Sequence, residues 1–120
     1  IVKIKGADKT LLCTDSLAIA GTDIKEGIMS GTEFIVEDGV CKLKDRSAFA
    51  GSIATADRLV RVMTKVCGYD ILTAVKMITE TPAKIAKINA GGIEKGKRAD
   101  IVVFDEDINI KSIFVGGLNV

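Results

Sequence analysis

The sequence predicts an α/β chain, and three observations carry that expectation. A short apolar run that ends in an acid, "LLCTD", lies near the start, a long stretch of helical periodicity fills the middle, and β-branched runs close the chain. An Asp-Gly pair between two apolar runs adds a hairpin ahead of the helices.

Taken in order, Thr10 to Thr14 reads as a short buried strand, because "TLLCT" is continuously apolar or β-branched and is bounded by Lys9 and Asp15. Asp15 then stands at its C-terminal end. Two readings are open for this acid: turn chemistry, in which its side chain accepts hydrogen bonds from the following backbone, or the working end of a barrel strand. The hairpin spans about residues 31–46, "TEFIVEDGVCKLKD" with its neighbours, and Asp38-Gly39 supplies the positive φ that a type I′ turn requires.

In "FAGSIATADRLVRVMTKVCGYD", Ile53, Ala56, Leu59, Val60, Met63, Val66 and Cys67 recur at helical spacing. Ser52 takes the N-cap place and Gly68 falls just past the end. Asp70 caps a second helix through Leu72, Val75 and Ile78, and Thr81-Pro82 offers a cap and an N1 proline for a third that ends near Ile88. "ADIVVFD" and "INIKSIFV" are strand segments separated by acidic turn residues, with a seam between helices and strands near Asn89 to Gly92.

The 120 residues fit one domain, and 48% hydrophobic with 28% charged is the composition of a soluble globular protein. Lys+Arg 17 against Asp+Glu 16 leaves no one-sign patch, so nucleic acid has no footprint. Three scattered cysteines, Cys13, Cys41 and Cys67, form neither a disulfide framework nor a zinc motif and suit a reducing cytoplasm. No apolar run approaches the length that spans a membrane, and "IVKIKGADK" lacks the parts of a signal peptide. A start at Ile1 and a close on "VGGLNV", where a strand resumes, raise the expectation of a piece of something longer.

Chemistry-bearing patterns are few. The chain has no histidine, which removes the common catalytic zinc site and the usual base for a Ser or Cys nucleophile. No G-x-S-x-G elbow surrounds its serines, "NAGGIEKGK" matches no phosphate-binding loop, and Asp105, Glu106 and Asp107 read as turn acids rather than calcium ligands. Two places remain: "FAGS", Phe49 to Ser52, where a helix start would leave backbone N–H groups free for a ligand oxygen, and Asp15.

Together, "LLCTDSLAIAG", the hairpin with "EDG", "FAGSIATADRLVRVM", "DILTAVKMITETPAKIAKI" and "GGIEKGKRADIVVFDEDINIKSIFVGG" resemble the C-terminal third of the N-acetylglucosamine-6-phosphate deacetylase family. The resemblance runs the length of the chain. "G-x-I-x-x-G-x-x-A-D" at Gly91 to Asp100 is shared by many amidohydrolases, whereas "TDS…AG" followed by "AGS" is specific to this deacetylase.

The resemblance implies the C-terminal portion of a (β/α)8 TIM-like barrel over residues 1–90, with the hairpin inserted, and strands of a small β-sandwich over residues 91–120. It also implies a cytoplasmic homodimer acting on an N-acetylated amino-sugar phosphate. Asp15 resembles the family's catalytic aspartate, which takes a proton from metal-bound water and returns it to the leaving amine. Phe49, Ala50 and Gly51 resemble the loop that touches the bound sugar, with Ser52 mainly a cap. The divalent ion, of zinc, iron or manganese type, is expected only in the parent enzyme, because the family's Glu and His ligands have no counterpart here.

The family commonly has Ala and Pro near the places of Ser16 and Ile19, a small departure in a loop. A whole barrel of this kind takes about 250 residues, so the chain alone is expected to be inactive and to self-associate through its uncovered edges. Competing readings are a segment of another amidohydrolase with a cyclic-amide or dipeptide substrate, and a free-standing binding module without catalysis.

Overall fold

The structure is a computed structural model that describes residues 1–120, and the chain divides into two compact units. One unit is Thr14–Ala56; the other joins Ile1–Cys13 to Asp57–Val120.

The Thr14–Ala56 unit is built on a four-stranded antiparallel meander in the order β1 (Glu26–Met29), β2 (Thr32–Glu37), β3 (Val40–Leu43), β4 (Phe49–Gly51). Asp38 and Gly39, at φ 53 and 72, make the two-residue turn between Glu37 and Val40, as their pairing in the sequence predicts. Ser30-Gly31, at φ 50 and 79, makes a second turn of the same kind between Met29 and Thr32. Phe34 on β2 and Cys41 on β3 are buried, and the Phe34 ring lies over Gly27, where an added Cβ would come within 3.2 Å of it. The far end of the sheet is tied by Arg46, which donates from Nε and Nη2 to both carboxylate oxygens of Glu37 at 3.0 and 2.6 Å. That fork holds the Glu37 carboxyl below the usual carboxylate range.

In the other unit, α1 (Val2–Lys5) and a 3-10 turn at Ala7–Lys9 open the chain. Thr10 to Thr14 is not a strand. A strand needs a ladder, and within the unit this extended run finds only one rung, Leu12 N–H to the Met77 carbonyl at 2.9 Å.

The first long helix starts later than its periodicity predicts: α2 runs Ala56–Arg61 and passes into a π-helical turn, Val62–Val66. The wider turn, closed by Cys67 N–H to the Val62 carbonyl at 3.0 Å, rotates the apolar stripe. Val60 and Met63 therefore face the core while Val66 and Cys67 are exposed. Gly68, at φ 74, ends the element with Tyr69 N–H bonded back to the Met63 carbonyl at 3.0 Å.

Asp70 caps α3 (Ile71–Ile78) as expected, accepting from Thr73 N–H at 2.9 Å and from its hydroxyl at 2.6 Å. Thr79, at φ −122 and ψ −76, breaks the helix, and α4 (Glu80–Ala86) restarts ahead of the Thr81-Pro82 start that the sequence suggests. Pro82 is still in the first turn, where its missing N–H costs nothing.

The three-stranded sheet β5 (Ile101–Phe104), β6 (Ile110–Val115), β7 (Leu118–Asn119) closes the chain. Its first connection folds inward: Ile108, buried and at φ 63, packs with Val60 and Ala74 and is bordered by Met63, Val75, Ile78 and Phe104. A branched side chain at positive φ is strained and persists only when neighbours over-determine it. Here they do. Asp105 accepts from the Asp107 and Asn109 amides at 3.0 and 2.9 Å and from Asn109 Nδ2 at 3.0 Å, and pairs with Lys111 at 2.9 Å. Arg61 Nη2 donates to the Ile108 carbonyl at 2.8 Å. Lys111 foremost, then Asn109, holds the Asp105 carboxyl far below the usual range, so this acid is a turn residue, as the sequence suggests.

Hydrogen bonds from the Thr73 hydroxyl and backbone also keep the Asp70 carboxyl below the usual carboxylate range. A depressed folded-state value gives stability that is full above the unfolded value and is lost as pH falls through the folded one. Asp70→Ala should therefore lower the melting temperature at neutral pH, and the gap to the wild type should close well below about pH 3.9, as read by circular dichroism melts.

Candidate active site

Two segments far apart in the chain meet inside the Thr14–Ala56 unit. Beyond β4 the backbone runs on to Ser52, which forms a parallel bridge with Ser16, and Leu17 N–H donates to the Ser52 carbonyl at 2.9 Å. Asp15 precedes one member of that bridge and Gly51 precedes the other, so the two flank the same crossing. The crossing puts Asp15 next to the end of the Phe49–Gly51 strand in the fold.

Asp15 is exposed, and its backbone is left-handed at φ 46. Aspartate tolerates that conformation better than most residues, and outliers of this kind gather where a side chain is held for use. Its carboxylate has no hydrogen-bond or ion-pair partner in the chain, unlike Asp38, Asp45, Asp70, Asp100 and Asp105, which are occupied by turns, caps and lysine or arginine partners.

Phe49–Gly51 is a strand, where the sequence suggests the start of a helix. Lys42 pairs with Phe49 and Cys41 with Gly51, so Ala50 is an extra residue, a β-bulge. Bulges re-aim the side chains around them and recur beside functional sites. Phe49 is 76% exposed, a large apolar ring open to solvent. Ser52 does not cap α2, which begins only at Ala56; its hydroxyl instead accepts from Ala54 N–H at 3.1 Å and closes a tight turn. A helix dipole at "FAGS" is therefore not part of the site.

Glycine at position 51 has a steric reason. A Cβ there would lie 2.8 Å from Cγ and both Cδ atoms of Leu17, so the close approach of the two segments excludes a side chain. Sequence reading gave no signal for the Leu17 contact, because the two residues meet only through the Ser16–Ser52 bridge. No group of three or more His, Cys, Asp or Glu side chains comes together in these 120 residues.

The profile of the Amidohydrolase family matches residues 6–120, and the chain belongs to that family. It is 31% identical over 116 residues to the N-acetylglucosamine-6-phosphate deacetylase of Lysinibacillus sphaericus, covering 96% of this chain and 30% of that protein. To the N-acetylgalactosamine-6-phosphate deacetylase of Shewanella sp. (strain ANA-3) it is 28% identical over 116 residues, 96% of this chain and 29% of the other. A crystal structure of N-acetylglucosamine-6-phosphate deacetylase from Pasteurella multocida superposes with a TM-score of 0.88 at 30% identity, covering 97% of this chain and 31% of that one. The mixed α/β arrangement is thus that of solved deacetylases, and the chain spans about three tenths of the length of these relatives.

Gly51→Ala is expected to destabilise the protein by about 1–3 kcal/mol. Adding Leu17→Ala should recover part of that loss by making room for the new methyl; thermal unfolding of the two single variants and the double variant checks the coupling.

Proposed function

We propose that these residues are the C-terminal part of a deacetylase that hydrolyses N-acetyl-D-glucosamine 6-phosphate to D-glucosamine 6-phosphate and acetate. The observation that carries the reading is an unpartnered Asp15 carboxylate beside a bulged, open Phe49–Gly51 strand. The family membership and the names of the relatives give the substrate class. On this reading residues 1–90 complete the barrel, with the hairpin as an insertion, and residues 91–120 contribute strands to a small β-sandwich.

Asp15 accepts a proton from water as the water oxygen bonds to the acetamide carbonyl carbon. When the C–N bond breaks, the same proton passes to the nitrogen, leaving acetate and the free amine. Phe49 lays its ring against the sugar, and the backbone of Ala50 and Gly51 orients it. Amidohydrolases generally use a divalent metal; its ligands would come from residues outside these 120, since none gather here.

Cys13, Cys41 and Cys67 are all free thiols, which favours a reducing cytoplasm, and no helix is long and apolar enough to cross a membrane. Ile28, Val66 and Leu72 stand exposed, which favours self-association of the isolated chain; for the whole protein the resemblance implies a homodimer.

In the full natural protein Asp15→Asn should lower kcat for N-acetylglucosamine 6-phosphate by about 10²- to 10⁴-fold with little change in KM. Residues 1–120 alone should turn over nothing with zinc, iron or manganese added. Turnover by the isolated chain, or hydrolysis of a hydantoin or dipeptide in place of the acetamide, would contradict the proposal.

A further inference from the structure

The Ser16 hydroxyl makes a link between the two segments that a residue without one cannot make. Its Oγ donates to the Ala54 carbonyl. The Ala54 N–H, at the other end of the same residue, donates to Ser52 Oγ at 3.1 Å. Ala54 is thus held by a serine from each segment, and the backbone bond from Leu17 N–H to the Ser52 carbonyl at 2.9 Å lies between them.

We propose that Ser16 is a positioning residue: with Ser52 it clamps Ala54 and so fixes the Asp15 segment in register against Phe49–Gly51. The geometry assigns this job because the Asp15 side chain makes no hydrogen bond or ion pair that would hold it. Its backbone is left-handed at φ 46, and the next residue, Ser16, is the one bridged to Ser52. The backbone bridge is a single rung, and one rung resists sliding poorly. Leu17 against Gly51 supplies packing and tolerates small shifts, whereas a hydroxyl-to-carbonyl bond is directional and resists them. On this proposal Ser16 acts through Asp15.

The inference rests on the deacetylase reading for its kinetic consequence and on geometry alone for its structural one, so the test reads both. In the full natural protein, Ser16→Ala is compared with wild type and with Ser16→Thr, which keeps the hydroxyl on an exposed side chain. The first readout is kcat and KM for N-acetylglucosamine 6-phosphate; the second is hydrogen exchange of the Leu17 amide. Ser16→Ala should lower kcat about tenfold with KM within about twofold, and should speed exchange at Leu17. Ser16→Thr should restore both. Unchanged exchange at Leu17 in Ser16→Ala overturns the clamp, as does a Ser16→Thr variant that behaves like Ser16→Ala. A wild-type protein without deacetylase activity would remove the functional reading, and the exchange result would still decide the clamp.

Discussion

The bridge between Ser16 and Ser52 is the contact on which the candidate site depends. It closes a segment in which the whole β1–β4 meander is the spacer, so the register of that meander decides what arrives beside Asp15. Two-residue turns at Ser30-Gly31 and Asp38-Gly39 set the register, and a one-residue slip at either would turn the buried faces of Phe34 and Cys41 outward. The bulge at Ala50 then adjusts the last strand by one residue, so that Gly51, which alone has room under Leu17, reaches the crossing. Local turn chemistry is in this way transmitted to the placement of an acid by backbone pairing, with no large core to help.

The unit of Ile1–Cys13 and Asp57–Val120 is held by a different device. Its three-stranded sheet is fastened to the helices by Ile108, a buried residue in a strained conformation, and the strain is over-determined by the Asp105 turn and by Arg61. Arg61 also pairs with Asp57 one turn earlier at 3.2 Å, which fixes its guanidinium for the Ile108 carbonyl. Of the acids that make this turn conspicuous in the sequence, Asp105 holds the turn and Asp107 pairs with Lys65 at 3.2 Å.

What the sequence revealed followed from rules that act over a few residues. The Asp38-Gly39 turn, the Asp70 cap, the Gly68 stop and the two final strands are all set locally, and the structure has each of them. Ser30-Gly31 carried the same kind of turn signal. The misreadings share a cause. Thr10 to Thr14 has strand composition without partners for a ladder, and Ser52 has cap chemistry spent on a turn; in both, pairing across distance decided what local preference left open. The π-turn after Arg61 likewise breaks a periodicity that looks continuous on paper. Of the site, Asp15 and Phe49–Gly51 were legible as residues, while the bulge, the Leu17 contact and the serine clamp are properties of the fold.

The most direct test is a crystal structure of the full natural protein with N-acetylglucosamine 6-phosphate bound. The account predicts the Asp15 carboxylate within roughly 3 Å of the acetamide or of the attacking water, the Phe49 ring against the sugar, and Ser16 still paired with Ser52. A bound sugar whose acetamide lies away from Asp15, or one held without contact to Phe49–Gly51, would contradict it.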